Sequence, residues 1–323
     1  MEYESSHLRE LAARCLEPSL VPSRIRVFTD TSDFYRVDYD DVVILGDRPY
    51  LVRNNEREGR FGIDEQQKFW VKRALDLTDG SKKVIKLVFR ERFKAKVGPL
   101  IFDCVRSPAK EARVLSAVEG HPNFMQGFSV LDTSGNLVRV IDYIQGKRLP
   151  DYVLGLSRGH GEYFMKDFPS ILRRYVEAVE ALAFLHRRRE VHGDIRRDHL
   201  IIDGETGSYR WIDFDFIARH DENKFGYDIF GLGNILVFLA GGGDVTTQSL
   251  QDEMPEALEG ITNEDVNIIF HNRVVNLKKV FPYLPDSLNY VLLHFSLGAE
   301  VFYDSIEQFL DDLLKAESAL ANA

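Results

Sequence analysis

The hydrophobic periodicity of this chain changes once, near Gly146, and that change limits what the chain can fold into. Between residues 42 and 143, short apolar runs alternate with polar turns, which is typical of β-strands. Beyond Gly146, apolar residues such as Ile171, Tyr175 and Val179 recur every three or four positions, which is the period of an amphipathic helix. The sequence therefore predicts an α+β protein in which a sheet precedes most of the helices.

Several runs have the composition and punctuation of individual elements. The predicted strands cover residues 42–45, 50–53, 68–75, 84–89, 128–131 and 137–143. One helix interrupts them, because Ser107 and Pro108 supply an N-cap and a proline at the first helical position. Further patterns predict a short β-hairpin over 200–216 and helices over 228–239 and 305–316.

The same patterns predict three parts. Residues 1–41 form an N-terminal extension that packs on the next part and whose role the sequence does not show, 42–145 form a small antiparallel sheet domain with one main helix, and 146–323 form a mostly helical domain. A hydrophobic content of 44% over 323 residues is enough for a substantial core.

Charge and cysteine content restrict the partners and the compartment. The formal net charge of -10 argues against attachment to nucleic acid or to an anionic membrane. The only cysteines, Cys15 and Cys104, are too few for a disulfide framework and are not spaced as zinc ligands. The chain begins without the apolar run of a signal peptide and has no stretch of ~20 apolar residues, so we expect a cytoplasmic protein that does not cross a membrane.

The most informative motif is V-H-G-D-I-R-R-D-H-L-I-I over residues 191–202, followed by W-I-D-F-D over 211–215. These segments resemble the protein kinase superfamily, whose catalytic loop H-R-D-L-x-x-x-N is followed by D-F-G; His192, Asp194 and Asp213 occupy matching positions. The resemblance implies a bilobal fold that binds ATP with Mg²⁺ or Mn²⁺ between its lobes. It also implies that Asp194 orients or deprotonates an acceptor hydroxyl and that Asp213 holds the metal. Without the resemblance, both aspartates are ordinary turn residues.

A second motif lies upstream in a predicted strand. V-I-K over residues 84–86 resembles the V-A-I-K strand of the same family, and the resemblance implies that Lys86 contacts the ATP phosphates. Glu111, early in the first predicted helix, is the expected anionic partner that would orient Lys86. The alternative is that Lys86 extends from a sheet edge to solvent while Glu111 only favours the helix start.

Two weaker matches concern the nucleotide. Gly59 and Gly62 lie where a glycine-rich phosphate loop is expected, but the spacing G-x-G-x-x-G is absent and ordinary turn glycines fit equally well. The segment V-I-D-Y-I-Q-G over 140–146 resembles the hinge between lobes, which implies that backbone groups of Asp142 and Ile144 bond the adenine edge. The alternative is a buried strand that ends in a turn.

Three positions depart from the family pattern. His199 replaces the asparagine that binds a second metal ion, so it is either a ligand that favours manganese or a structural histidine, and neighbouring Asp198 is an alternative ligand. Gly193 replaces an arginine that in many kinases binds a phosphate group carried by the activation loop. Asp215 replaces the glycine of D-F-G and is either a metal ligand or the polar end of a strand.

The resemblance implies a kinase whose acceptor is a protein serine or threonine, because D-I-F-G-L-G over 228–233 is similar to the central helix of protein kinases. A small-molecule hydroxyl acceptor, as in the aminoglycoside and choline kinase branches, stays open because Asp228 follows Asp213 by only fifteen positions. Two further alternatives also stay open. One is a pseudokinase that binds nucleotide as a regulatory module, and the other is transfer of AMP instead of phosphate.

Overall fold

The structure, a computed structural model, describes residues 4–60, 63–97, 100–156, 158–219 and 223–321. The chain folds into two compact units. Unit 1 takes its described residues from Met1–Glu91, Arg106–His121 and Met125–Ile144. Unit 2 takes its described residues from Arg92–Val105, Pro122–Phe124 and Gln145–Ala323.

Strands are concentrated before Ile144 and helices after it. The strands are β1 (Val27–Phe28), β2 (Val42–Leu45), β3 (Arg48–Arg60), β4 (Ile63–Asp76), β5 (Lys82–Lys86), β6 (Arg92–Val97), β7 (Leu100–Arg106), β8 (Gly127–Leu131), β9 (Leu137–Asp142), β10 (Gly146–Arg148), β11 (Leu200–Asp203), β12 (Tyr209–Trp211) and β13 (Phe216–Arg219). The helices are α1 (Ser5–Cys15), α2 (Pro108–Ala117), α3 (Leu149–Leu154), α4 (His160–Lys166), α5 (Phe168–Arg187), α6 (Gly226–Ala240), α7 (Thr247–Glu253), α8 (Pro255–Leu258), α9 (Asp286–Leu293) and α10 (Ile306–Ala321).

Unit 1 is built on a seven-stranded sheet with the order β1-β2-β3-β4-β5-β9-β8. Its strands pair antiparallel except β1, which pairs parallel to β2. Alternate residues of these strands point to one face, where Val43, Tyr50, Ile85 and Val140 form a buried cluster. Helix α2 starts where Ser107 accepts a hydrogen bond from Lys110 N at 3.2 Å, in agreement with the predicted N-cap.

The first forty residues are part of unit 1. Helix α1 buries Leu8 and Ala12 in a cluster with Leu51 of β3. Farther along the extension, the backbone N and the Oγ1 of Thr31 both donate to Asp132 Oδ2 at 2.7 Å. The extension therefore contributes both core packing and a strand to this sheet.

Unit 2 is mostly helical, and two long apolar helices, α5 and α6, contribute much of its core. Helix α5 buries twelve of its twenty residues, and α6 is apolar on most of its circumference. The short sheet β10-β11-β12 joins this core through Trp211, whose Nε1 donates to Ala178 O at 2.8 Å. The predicted α+β fold, with one sheet-rich unit and one helical unit, is confirmed.

Some predicted elements differ from the observed ones. The strand predicted over 84–89 ends at Lys86. The strands predicted over 50–53 and 68–75 lie within the longer strands β3 and β4, near the start of β3 and the end of β4. The sequence interpretation placed no element between residue 89 and Ser107, where the structure has the antiparallel pair β6 and β7. Within the described residues, no helix has the length and apolar character needed to span a bilayer.

Candidate active site

Lys86 and Glu111 form a buried ion pair within unit 1. Lys86 is the last residue of β5 and is 3% exposed, and Glu111 lies in the first turn of α2 with no exposed surface. Lys86 Nζ donates to Glu111 Oε1 at 2.6 Å. A buried charge is costly unless it is paired, so each side chain fixes the other in place.

Arg139 binds the same carboxylate and was not singled out from the sequence. It is directly opposite Lys86 in the β5–β9 pair, and its Nε donates to Glu111 Oε2 at 2.9 Å. Its Nη1 also donates to Leu137 O at 2.8 Å. The signal that could have revealed it is an arginine inside the apolar run 137–141, because a charge at a buried strand position requires a partner.

The residues expected to contact the adenine edge and the ATP phosphates differ in their places in the fold. Asp142 ends β9, its backbone N donates to Gln126 O at 2.9 Å, and its carboxylate accepts from Lys83 Nζ at 2.5 Å. Ile144 is the last residue of unit 1. Gly59 lies within β3, and Gly62 is outside the described residues. Their assignment to ATP remains a prediction.

In unit 2, the loop that carries Asp194 is anchored by Asp228 of α6. The two oxygens of Asp228 accept from His192 N and Gly193 N, each at 2.7 Å, and Oδ2 also contacts His186 Nε2 at 2.9 Å. Burial acts to raise the pKa of Asp228, but these donors outweigh it and hold the pKa below its usual value. The ionised Asp228 thereby fixes the backbone on which Asp194 is carried.

His199 lies between Asp194, the predicted catalytic residue, and Asp213, the predicted metal ligand. Its Nδ1 is 2.9 Å from Asp194 O and 3.5 Å from Asp194 Oδ2, and its Nε2 is 3.7 Å from Asp213 Oδ2. A carbonyl oxygen only accepts, so Nδ1 carries the proton of that bond, and in neutral His199 the lone pair is on Nε2. The predicted site residues of unit 2 are therefore brought together.

Asp194 and Asp213 differ in environment. Burial raises the pKa of Asp194, although His199 and Arg196 act in the opposite direction. Asp213 has a left-handed backbone with φ 61°, which aspartate tolerates better than most residues. Ile212 N donates to His199 O at 3.0 Å and holds the chain just before Asp213.

Arg196 is a second residue that the sequence interpretation did not assign. Its Nε and Nη2 donate to the two oxygens of Asp198 at 3.0 and 2.5 Å. Burial acts to raise the pKa of Asp198, but His199 and Arg196 outweigh it and lower the pKa. The carboxylate of Asp198 is thus engaged by Arg196, whereas Asp215 is buried at 1% exposure just before β13.

The donor set suits a divalent ion that is carried mainly by nucleotide phosphates. No group of three His, Cys, Asp or Glu side chains among the described residues has the arrangement of a complete metal site. Asp213 and His199 offer one oxygen and one nitrogen 3.7 Å apart, within the roughly 3 to 4 Å that separates two ligands of one such ion. Magnesium typically takes one or two protein ligands and completes its shell with phosphate and water.

The fold is that of kinase-like proteins. The solved structure of the Cydia pomonella granulovirus kinase PK-1 matches with a TM-score of 0.50 at 13% identity, and the match covers 83% of this chain and 93% of that one. At this identity the likeness concerns the fold alone. The SNF-related serine/threonine-protein kinases of Rattus norvegicus and Homo sapiens are each 23% identical over 154 residues, or 48% of this chain.

The family follows from a direct match. The protein kinase domain model matches residues 69–231, which is half of the chain and includes Lys86, Glu111, Asp194 and Asp213. The chain therefore belongs to the protein kinase domain family. It covers about a fifth of the length of the SNF-related relatives, 19% in the rat protein and 18% in the human one. Family membership implies ATP, a divalent metal and a hydroxyl-bearing substrate in general terms.

Proposed function

We propose that this chain is an ATP- and divalent-metal-dependent phosphotransferase whose acceptor is a serine or threonine hydroxyl of a protein. The proposal rests on the proximity of Asp194 and Asp213 to one histidine. Nδ1 of His199 is 3.5 Å from Asp194 Oδ2, and Nε2 is 3.7 Å from Asp213 Oδ2. Phosphoryl transfer requires one carboxylate at the attacking hydroxyl and another that holds metal on the phosphates. Asp194 and Asp213 supply this pair.

Each residue has a defined role in the proposal. Asp194 orients the acceptor hydroxyl and accepts its proton on a carboxylate oxygen, for which its raised pKa is favourable. Asp213, with His199, holds the divalent ion, which when bound neutralises charge on the phosphates. Lys86, fixed by Glu111, donates to phosphate oxygens and keeps them aligned for in-line attack.

The relatives support a protein acceptor. The rat and human proteins are named serine/threonine-protein kinases, and the matched region includes Asp228 and the first turns of α6. The fifteen-position spacing from Asp213 to Asp228 keeps a small-molecule hydroxyl as the second candidate acceptor, because it leaves little chain on which to bind a peptide. The choice between them is decided by identifying the labelled product.

The test uses the full chain with γ-labelled ATP and either Mg²⁺ or Mn²⁺, first without and then with a mixture of protein and small-molecule acceptors. Wild type should transfer label to a serine or threonine, and Asp194→Asn and Asp213→Asn should each reduce transfer by at least about a hundredfold. Asp151→Asn, an exposed aspartate of α3, is the matched control and should keep wild-type activity.

Other outcomes would replace the proposal. Binding of ATP without turnover would indicate a nucleotide-binding module of the pseudokinase type. Label that appears only on a small molecule would indicate a small-molecule kinase. Label from α-labelled but not γ-labelled ATP would indicate transfer of AMP.

A cytoplasmic location is part of the proposal. Cys15 and Cys104 are free thiols. Free thiols are suited to a reducing compartment. Recovery of the native protein in a secreted fraction would contradict this location.

A further inference from the structure

The strands β6 (Arg92–Val97) and β7 (Leu100–Arg106), called here together the inserted hairpin, interrupt the stretch of chain between Lys86 and Glu111. They pair antiparallel, with Arg92 opposite Val105 and Phe93 opposite Cys104. Although the chain on both sides of it belongs to unit 1, Arg92–Val105 belongs to unit 2. Apart from Arg106, the inserted hairpin is therefore a part of unit 2 that is encoded within the sequence of unit 1.

The inserted hairpin is paired with the segment that follows Asp213. In the sheet β13-β7-β6, the central strand β7 is hydrogen-bonded to β13, which begins at Phe216. The rings of Phe93 and Phe216 meet edge to face with centroids 5.4 Å apart. The rings of Phe102 and Tyr227 are tilted to one another, with centroids 5.1 Å apart. Phe102 and Phe216 are 1% and 2% exposed, so these contacts are part of the core.

The inserted hairpin also carries a buried thiol whose ionisation is affected by the charge of the catalytic loop. Burial raises the pKa of the Cys104 thiol to about 11, and the charge of Asp194 adds to this effect. Cys104 is 1% exposed in the middle of β7. The strand that pairs with β13 is thus within electrostatic reach of Asp194.

Gly193 explains why the catalytic loop tolerates β13 in this position. Its backbone has φ +83°, and a β-carbon placed on it would be 1.9 Å from Phe216 O. Any residue other than glycine at 193 would therefore displace the start of β13. The glycine that replaces the family arginine at this position is therefore required by the path of β13.

Strand pairing can hold the segment that follows Asp213 in a fixed conformation without a bound phosphate group. Residues 214–226 contain no serine, threonine or tyrosine, so no side chain in that stretch accepts a phosphate on a hydroxyl. Asp213 itself has a left-handed backbone that neighbouring structure must maintain. Upstream, Ile212 N is fixed on His199 O at 3.0 Å, and downstream the fixed element is β13.

We propose that the inserted hairpin is a built-in positioning element: it holds β13 by strand pairing and thereby keeps Asp213 in its metal-binding conformation without phosphorylation of the segment. The role of Asp213 rests on the proposed function, whereas the ordering of β13 does not. Phe93 acts through Phe216 of β13 and is a positioning residue, whereas Phe102 packs on Tyr227 of α6.

The test compares three variants of the full chain. Phe93→Ala removes the ring that contacts Phe216 from a side chain that is already 37% exposed, so the fold should be kept. Gly193→Ala displaces the start of β13 through its contact with Phe216 O. Ile101→Ala, at a 55% exposed position of β7, is the matched control. Thermal unfolding verifies that each variant folds.

Two readouts are measured, hydrogen exchange of the amides of 214–219 without nucleotide, and the gain in ATP affinity on adding Mg²⁺ or Mn²⁺. Phe93→Ala and Gly193→Ala should speed exchange by about tenfold or more and reduce the metal-dependent gain, while Ile101→Ala matches wild type. Phosphatase treatment of wild type should leave the exchange unchanged.

The proposal is overturned if exchange is unchanged in Phe93→Ala, whatever Gly193→Ala does, or if phosphatase abolishes protection in wild type. If wild type binds no ATP at all, the proposed function fails. Exchange of 214–219 then still decides whether the inserted hairpin orders β13.

Discussion

Arg139 donates its Nε proton to Glu111 Oε2 over 2.9 Å, so that one fully buried carboxylate is shared between Arg139 and Lys86. Lys86 is expected to turn part of its hydrogen bonding toward phosphate, which weakens its hold on Glu111. Arg139 keeps Glu111 compensated during that exchange and ties α2 to β9. Glu111 therefore keeps its inward position without help from the nucleotide.

Arg139→Met should reduce both stability and ATP affinity. Removal of one partner from a buried ion pair typically costs about 3 kcal/mol, which urea denaturation would measure. Titration with ATP should give a higher Kd, because Glu111 then holds Lys86 more tightly. The double variant Arg139→Met, Glu111→Gln should lose less stability than the two single variants added together. Strict additivity, or an unchanged Kd, would contradict the shared role.

Lys72 of β4 provides a prediction on pH. It is 1% exposed, its Nζ donates to Val37 O at 2.5 Å and Asn55 Oδ1 at 2.8 Å, and burial lowers its pKa to about 8, against the opposing effect of Asp38 and Asp41. Between pH 8 and the unfolded value of 10.5, the unfolded chain binds more protons at this position than the folded chain does. The penalty for burying the charged amine is therefore fully present below pH 8 and is relieved as pH rises across that window, so stability rises with pH there.

Comparison of wild type with Lys72→Met would isolate this contribution. The difference in the free energy of unfolding should shift in favour of wild type from pH 8 to 10.5, by up to about 3 kcal/mol. Lys82→Met, at an exposed position of β5 in the same unit, is the control, and its free energy of unfolding should vary with pH as that of wild type does. Parallel profiles for Lys72→Met and wild type would refute the assignment.

The N-terminal extension should behave as part of unit 1. Leu8 of α1 has no exposed surface and packs in the cluster with Leu51 and Leu75. Leu8→Ala should lower the free energy of unfolding by about 2 to 5 kcal/mol, since it leaves a cavity in that cluster. Leu20→Ala, 47% exposed in the same extension, should change it by less than about 0.5 kcal/mol. Equal effects in the two variants would show that α1 does not stabilise the unit.

Local pattern was sufficient where a strand or helix packs against a single apolar face. The strand predicted over 42–45 is β2 with the same bounds, and the cap at Ser107 begins α2. Period and capping are local properties, and both are visible in a few consecutive residues. The order of these elements also carried the resemblance from which the kinase fold was inferred.

Local pattern was insufficient where the partner is distant in the chain. The alternation around Phe93 and Ala95 did not by itself identify β6, because the strand that completes its sheet begins at Phe216. Strand preference depends on such neighbours more than on the residues themselves. Arg139 is a related case, since the sequence places a charge in an apolar strand but does not name Glu111 as its partner.

His199 supports the last prediction, which concerns the metal. The bond from Nδ1 to Asp194 O orients the ring and leaves the lone pair of Nε2 toward Asp213 Oδ2, 3.7 Å away. Imidazole nitrogen binds manganese more readily than magnesium, so His199→Asn should shift the ratio of Mn²⁺ to Mg²⁺ affinity in the ATP complex toward Mg²⁺ by about tenfold. Spin-echo spectroscopy of the Mn²⁺ complex gives a direct measurement, because a nitrogen coupling in wild type should be absent in the variant. Identical metal preferences and spectra would instead assign His199 to orienting the loop through Asp194.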